Sequence, residues 1–270
     1  MRSICILAFA ILTTTTSFGQ AWTKEKGKSF LKLDFTTITG NKIFDDKSKV
    51  VDFQDFSFNT VSFFGEYGIT NKLTAVAYIP FLQSNSLKST ALGPDASNVG
   101  FGDVDIAIRY AISKEKFPLT ATLLLGIPTG EFVEPNELFT GDGEFNQMLK
   151  IAFGAGAEKW WVQGGVGFNN RTQNFSDEIR FDAEFGYKFL NKKLMTMLKI
   201  GGISPLDNGK AATTKTGLFS NNVAYVSPAI ELMYFVKPNF GITFRGAGAG
   251  ANARNVQATP SFSLGVFLGK

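Results

Sequence analysis

The segment EIRFDAEFGYKF, residues 178–189, alternates strictly between polar and apolar side chains. Glu178, Arg180 and Asp182 fall on one side of the alternation, and Phe181 and Phe185 fall on the other. A period of two residues predicts a β-strand with one polar and one apolar face. In a water-soluble sheet the apolar face packs inside, whereas in a barrel that spans a bilayer it points outward to lipid. One strand fits both arrangements, so the rest of the chain has to discriminate between them.

The same alternation recurs along the chain between turn residues, and it predicts about twelve strands, with about ten to fourteen as the range. Residues 102–112 and 119–127 show it most clearly after the opening segment, and a change of phase within 53–67 predicts a β-bulge. The predicted strands are 29–39, 53–67, 73–81, 102–112, 119–127, 144–155, 160–170, 178–189, 194–203, 222–235, 240–249 and 256–268.

The connections between these strands alternate in length. Short turns are predicted at 68–71, 113–118, 157–159, 190–193 and 236–239. Between them lie connections that are mostly longer, polar and rich in glycine, at 40–52, 82–100, 129–143, 171–176, 205–221 and 250–255. Transmembrane barrels have short periplasmic turns and long external loops. The sequence therefore predicts an all-β fold, a transmembrane antiparallel β-barrel, rather than a secreted soluble β-domain.

The N-terminus predicts export. Arg2 precedes an apolar run at residues 4–12, and a small-x-small pattern ends at Gly19, before Gln20. This is a signal-peptide pattern, and the apolar run is shorter than the ~20 residues of a spanning helix. We predict a signal peptide at residues 1–19, cleavage near Gly19/Gln20, a single barrel domain at 20–270, and localisation in the bacterial outer membrane.

The composition argues against several functions. The chain has no His, and its single Cys5 lies within the predicted signal peptide. General-base activation of a nucleophile at neutral pH is most readily supplied by His, so we predict that the protein is not an enzyme. Carboxylates two residues apart, such as Asp103 and Asp105, share one face of a strand and are interpreted as lining a wet interior. We predict no cofactor, no metal ion and, without a basic run, no nucleic-acid partner.

An acidic loop and a glycine-rich loop carry the weaker signals. The loop at 129–143 holds Glu131, Glu134, Glu137 and Asp142, but without the spacing of a calcium loop. The segment RGAGAGANAR, residues 245–254, joins two strands and offers no helix N-terminus for a phosphate. We interpret both segments as loops exposed to solvent.

The polar faces of the strands carry ionisable side chains of both signs, which we predict to line the lumen. Two interpretations remain open: a polar conduit whose mixed charges set selectivity, or cross-strand ion pairs that brace and nearly occlude a narrow lumen. The predicted lumen residues are Lys32, Asp34, Asp103, Asp105, Arg109, Lys150, Glu178, Arg180, Asp182, Glu184, Lys188, Glu231 and Arg245.

Four segments carry a resemblance to a known family: EYGITNKLTAVAYIPF (66–81), GFGDVDIAIRYAI (100–112), FPLTATLLLGIPTG (117–130) and GLFSNNVAYVSPAIEL (217–232). Together they resemble the MetA-pathway-of-phenol-degradation family of outer-membrane proteins, within a wider set of transporter-like barrels. The resemblance implies a barrel that admits aromatic or other hydrophobic compounds. Related fatty-acid transporters carry an N-terminal plug, but residues 20–28 are too few to fill a lumen, so we expect no plug-gated mechanism.

The leading hypothesis is an outer-membrane channel for passive passage of small hydrophobic or amphipathic compounds, aromatic ones among them. Its partners would be outer-membrane lipid and a small-molecule substrate. The alternative is a non-transporting barrel with a structural or adhesive role.

Overall fold

The computed structural model describes residues 21–132, 138–213, 219–248 and 252–269. The predicted signal peptide, with its cleavage site, lies outside these residues, as do Glu134 and Glu137 of the acidic loop. The described residues form fourteen strands and one short 3₁₀ turn at Leu190–Lys192, and no helix among them has the length and apolarity needed to cross a membrane. The strands are β1 (Ser29–Phe44), β2 (Val50–Gly68), β3 (Leu73–Leu87), β4 (Ala96–Gly100), β5 (Val104–Ser113), β6 (Leu119–Ile127), β7 (Asn146–Gly156), β8 (Trp160–Arg171), β9 (Glu178–Phe189), β10 (Leu194–Pro205), β11 (Tyr225–Lys237), β12 (Phe240–Ala247), β13 (Val256–Gln257) and β14 (Ser261–Gly269).

Twelve of these strands close into a barrel, each antiparallel to its neighbours. β1 pairs with β2 on one side and with β14 on the other, so the sheet has no free edge. The other two strands are short: β4 pairs with the external end of β3, and β13 pairs with the external end of β1. Closure satisfies the backbone N–H and C=O groups between strands, which a bilayer requires. The prediction of an all-β antiparallel barrel of about twelve strands is confirmed.

Three details of the strands bear on the sequence predictions. The predicted bulge in 53–67 is present, because the β2–β3 register shifts between Val61 and Phe63. β3 runs past its predicted end, to Leu87, because β4 pairs with it inside what the sequence predicts as a loop. The predicted strand 256–268 is broken: Ala258 N still donates to Lys42 O at 2.8 Å, but residues 259–260 leave the ladder and Pro260 lacks an N–H. The Thr259 side chain packs against Gly40, where an added Cβ would lie 2.0 Å from Thr259 Cγ2.

The connections alternate between the two ends of the barrel as predicted. The periplasmic end carries the start of β1 and the end of β14, together with the turns at 69–72, 114–118, 157–159, 190–193 and 238–239. The external end carries the described residues of the connections 88–103, 128–145, 172–177, 206–224 and 248–260. The predicted loop 40–52 shrinks to residues 45–49, because β1 and β2 continue as a paired hairpin beyond the barrel wall.

The outer wall is apolar and the inner wall carries the ionised groups. On β5, Ile108 is 43% exposed, whereas the next residue, Arg109, is 0% exposed. On β9, Phe185 is 45% exposed and Glu184 is 6% exposed. This is the arrangement of a membrane barrel, in which apolar side chains face lipid.

Aromatic residues mark the periplasmic rim of the outer wall. Tyr67, Tyr110, Trp160 and Tyr234 are all exposed and lie near the strand ends that join the short turns. They form an aromatic girdle of the kind found at membrane interfaces. Tyr78 differs from them, because it is buried and lines an internal cavity.

Candidate functional site

On the side of β1, β2 and β3, the external end of the lumen is occupied by apolar side chains, whereas the side of β8 and β9 carries charged ones. On β1 the inward-facing Lys32 and Asp34 give way, towards the outside, to the buried Ile38. Phe56 and Phe58 of β2 are also buried, and their ring centroids lie 5.2 Å apart. We call this group the external apolar cluster; its buried members are Ile38, Phe56, Phe58, Leu87, Leu138, Val223, Tyr225, Ala253 and Val256. The expectation of a polar interior along the whole barrel was therefore wrong on this side of the external end.

Below the cluster, ion pairs connect wall strands that are separated by one intervening strand. Arg109 Nη1 lies 2.8 Å from Glu66 Oε1, and Lys24 Nζ lies 3.3 Å from Glu66 Oε2. Lys150 and Asp182 form a second pair. Buried charges cost free energy unless they are paired and hydrogen-bonded, so these pairs hold the wall strands in a fixed arrangement.

A third group of ion pairs surrounds Glu231 on β11. Its Oε1 is 3.1 Å from Lys32 Nζ, and its Oε2 is 2.6 Å from Lys199 Nζ. Lys32 also pairs with Asp34 at 2.8 Å, and Lys199 lies 3.3 Å from Glu184 Oε2. These side chains come from β1, β9, β10 and β11, so the network links strands from both halves of the chain.

Near the external loops, Arg171 at the end of β8 contacts three carboxylates. Its Nε lies 2.6 Å from Glu144 Oε1, its Nη1 lies 2.7 Å from Glu178 Oε1, and its Nη2 lies 3.1 Å from Asp142 Oδ2. Arg180 Nη2 binds the other oxygen of Glu178 at 2.7 Å. The guanidinium thus connects β8 and β9 with the connection 128–145.

Asp103, which lies outside the strands, also anchors the connection 128–145. Its Oδ1 accepts a hydrogen bond from Gly130 N at 2.9 Å, and its Oδ2 accepts one from Asp142 N at 3.0 Å. Burial, together with the nearby Asp142 carboxylate, raises the pKa of Asp103 to about 7.

The periplasmic half of the lumen contains a cavity of about 750 Å³. Its wall combines aromatic and methionine side chains with charged ones, and its rim carries lysines. We call it the periplasmic cavity. Its lining residues include Trp22, Lys24, Lys32, Phe64, Tyr78, Lys116, Trp161, Lys188, Met195, Met197, Lys199, Glu231, Met233, Phe235 and Arg245.

The segment before β1 enters the mouth of this cavity. Ala21 is fully buried and its N–H donates to Gln163 Oε1 at 2.9 Å, while the carbonyl of Trp22 accepts from Arg109 Nη1 at 3.2 Å. Gly154 on β7 makes room for the segment: a Cβ there would lie 2.7 Å from the Trp22 ring and 2.8 Å from the Ala21 Cβ. The segment is too short to fill the lumen, but its first two described residues occupy part of the periplasmic mouth.

The sequence-predicted lumen residues fall into three places. Asp103 lies at the base of an external loop rather than on a strand. Lys188 lies at the rim of the periplasmic cavity. The remaining residues lie on strands with their side chains buried or half-buried: Lys32, Asp34, Asp105, Arg109, Lys150, Glu178, Arg180, Asp182, Glu184, Glu231 and Arg245.

Several residues of these networks were missed from the sequence. Glu66 lies beyond the bulge of β2, where the phase of the alternation changes. Lys199 shares its face with Met195 and Met197, and these apolar neighbours obscure the polar pattern on β10. Arg171 stands at a strand end, where alternation gives no signal.

The two carboxylates Asp182 and Glu184 on β9 are bound by neighbouring donors, as expected for residues with a structural role. Glu184 Oε1 accepts hydrogen bonds from Trp161 Nε1 at 2.6 Å and from Gln163 Nε2 at 2.9 Å, and Asp182 is paired with Lys150. Each of these carboxylates is therefore held by donors that lie on the barrel wall.

Solved structures of outer-membrane barrels have the same fold. The COG4313 outer membrane channel from Pseudomonas putida F1 has a TM-score of 0.68 and 15% identity, and the match covers 93% of this chain and 98% of that one. The KdgM porin in complex with oligogalacturonate and the NanC porin each have a TM-score of 0.51, with 9% and 12% identity and the same coverage, 88% of this chain and 98% of theirs. No match was found among curated proteins.

A family model aligns with nearly the whole barrel, from residue 19 to residue 264. The chain thus belongs to the family described as "Putative MetA-pathway of phenol degradation" and has the fold of an outer-membrane β-barrel.

Proposed function

We propose that this protein is an outer-membrane channel for passive passage of small hydrophobic or amphipathic compounds, including aromatic ones. The observation that carries the proposal is the periplasmic cavity, about 750 Å³ in volume, which lies below the external apolar cluster. A lumen with an apolar cluster on one side of its external end and an amphipathic cavity below it suits a solute with little hydration shell. It does not suit hydrated ions, which need a continuous aqueous path.

The route into the cavity crosses the external apolar cluster or the wall. The cluster takes Leu138, Val223 and Ala253 from three different connections, so a movement of these loops would open it without unfolding a strand. The wall has a weak point between the β3–β5 and β3–β4 ladders: pairing with β5 ends at Tyr78 and pairing with β4 begins at Gln83. Between them Pro80 O accepts a hydrogen bond from Gly102 N at 2.8 Å. A lateral exit for an apolar solute would require little loss of backbone hydrogen bonding there.

The main alternative is a barrel with a structural or adhesive role. The ion pairs between wall strands favour it, because Arg109, Lys150 and Glu231 are each buried with partners and brace the wall. Under this alternative the periplasmic cavity would be a dead end.

We also propose that the protein is exported and that it has no catalytic role. We propose that residues 1–19 are removed as a signal peptide and that residues 20–270 form one barrel domain surrounded by outer-membrane lipid. A catalytic role is disfavoured because the sequence has no His. The ionisable residues of the lumen are proposed to set which solutes pass rather than to react with them.

The experiment is passage of matched solutes into proteoliposomes with a lipopolysaccharide-rich outer leaflet, which slows unassisted entry of hydrophobic compounds. We expect the protein to accelerate entry of a neutral two-ring compound such as 1-naphthalenemethanol and to have little effect on a sugar of similar size. Equal rates with and without the protein would support the structural alternative. A large acceleration of the sugar would indicate a general porin instead.

A further inference from the structure

We infer that the periplasmic cavity binds a small aromatic acid as its anion, with the acid group at Arg245 and the ring against three methionines. The inference rests on the proposed function, since it names the class of solute that the cavity holds. It assigns one end of the cavity to charge recognition and the other to apolar contact.

The acid group is assigned to Arg245 because the carboxylates near Arg245 already have other partners. Arg245 on β12 lies directly opposite Glu231 on β11, but both oxygens of Glu231 already bind lysines, Lys32 and Lys199. Asp34 in turn is bound by Lys32 at 2.8 Å and by Thr243 Oγ1 at 3.2 Å. The carboxylates near Arg245 are therefore supplied with donors from other residues.

The guanidinium itself has unused donor capacity. Arg245 lines the cavity, and its Nε is buried without a hydrogen-bond partner in the described residues. A buried donor without a partner is costly, and a guanidinium offers a planar fork that matches a carboxylate with two parallel hydrogen bonds. An organic acid entering the cavity would satisfy these donors without breaking an existing ion pair.

The apolar end consists of methionines on neighbouring strands. Met195 on β10 and Met233 on β11 are directly opposite each other, and Met197 lies on the same inward face as Met195. Phe64 and Phe235 complete this part of the wall. Thioether side chains are flexible and make favourable contacts with the edges of aromatic rings, so the wall fits flat rings of varied outline.

The mouth of the cavity favours anions over cations. Lys24, Lys116 and Lys188 lie among its lining residues on the periplasmic side, against the carboxylates of Glu115 and of Glu66, which pairs with Lys24. The excess of positive charge raises the local concentration of anions. An inorganic anion would satisfy Arg245 but would leave the methionine wall in contact with water. A hydrophobic cation would meet Arg245 and the lysines, which repel it.

The test is equilibrium binding by calorimetry to the full barrel in nanodiscs, with three probes of one shape: 1-naphthoate, 1-naphthalenemethanol and 1-naphthylmethylammonium. We expect 1-naphthoate to bind at least about tenfold more tightly than the neutral probe, which a charge-assisted hydrogen bond provides. Arg245→Gln should abolish this preference. Arg254→Gln is the matched control, because Arg254 pairs with Asp207 in the external connections. Equal binding of the three probes, or an unchanged preference in Arg245→Gln, would overturn the inference.

A second variant separates the two ends of the site. Met195→Ser combined with Met233→Ser should weaken the anionic and the neutral probe by similar factors, because both place the ring against the same wall. A loss restricted to the anion would contradict the assignment. Heat-dependent migration on a gel verifies that each variant is folded.

Because binding is measured without transport, passage of the neutral probe without charge-selective binding would refute only this inference. Charge-selective binding without passage would refute only the proposed function.

Discussion

Arg109 and Glu66 form a buried ion pair across β3, which lies between their strands in the wall. The distance from Arg109 Nη1 to Glu66 Oε1 is 2.8 Å, and the same nitrogen donates to the carbonyl of Trp22 at 3.2 Å. One guanidinium therefore connects β5, β2 and the segment that enters the periplasmic mouth. This connection makes both the stability of the barrel and the width of its mouth testable by mutation.

The ion pair itself gives the first prediction. Arg109→Met should destabilise the barrel by about 3–5 kcal/mol, because it leaves Glu66 buried with only the half-exposed Lys24 as an ionic partner. The double variant Arg109→Met with Glu66→Met should recover much of this loss, since no charge remains unpaired. Urea unfolding followed by tryptophan fluorescence measures both. A single variant as stable as the wild type would contradict the prediction.

The entering segment gives the second prediction. Gly154→Leu should speed the entry of 1-naphthalenemethanol into proteoliposomes, because its side chain would occupy the space of Ala21 and Trp22 and displace them from the mouth. In a chain lacking residues 21–24 the same substitution should give no increase, since nothing is left to displace. Entry rates with the wild type, Gly154→Leu, the shortened chain and the shortened chain with Gly154→Leu provide the comparison. An increase that persists in the shortened chain would show that the leucine acts in another way.

The outer wall gives the third prediction. Ile108→Arg should weaken folding into lipid vesicles by about 2–4 kcal/mol, because it places a charge on the lipid-facing side of β5. Ile108→Leu is the control, since it preserves an apolar contact with lipid. Folding equilibria in urea with vesicles present test the pair. If both variants fold equally well, the outward orientation of this face would be refuted.

The external apolar cluster gives the fourth prediction. Phe56→Ser with Phe58→Ser should increase the rate at which small sugars swell proteoliposomes, because it removes two stacked rings from the external end of the lumen. Truncation of a buried Phe costs about 3–5 kcal/mol, so folding must be checked on a gel. Phe153→Ser, on the outer wall, is the same change outside the lumen and should leave swelling unaltered. Unchanged swelling in the double variant would mean that the barrier lies at the ion pairs.

The pH dependence of an external loop gives the fifth prediction. The raised pKa of Asp103, about 7, means that the packed loop keeps a proton that an unfolded loop releases near pH 4. The packed form is therefore most favoured below about pH 4 and loses stability as pH rises to about 7. Hydrogen exchange in residues 128–132 and 138–145, corrected for its intrinsic pH dependence, should show more opening at pH 8 than at pH 5. Asp103→Asn should reduce this difference but not abolish it, because burial also raises the pKa of Glu144 in the same loop, to about 8. An unchanged difference in Asp103→Asn would exclude Asp103 as a source.

The alternation along single strands was sufficient to predict the barrel. Ile108 and Arg109 are neighbours in sequence and face opposite solvents, and this relationship needs no knowledge of any other strand. The lengths of the connections predicted which ends face the periplasm for the same reason, because turn residues are local signals. The prediction was less successful for pairing between strands, as with β3 and β4. Pairing joins residues that are separate in sequence, and the local pattern of one strand does not identify its partner.

What the sequence by itself determined is which side chains point inward and which point outward, since the two-residue period is a property of each strand alone. What only the tertiary structure decided is which inward groups meet. Lys32 and Glu231 are 199 residues apart, and their contact depends on the closure of the barrel through β1 and β14. The apolar cluster at the external end and the entry of Ala21 into the lumen arise in the same way. Each is made by segments that are distant along the chain and that come together only when the sheet closes.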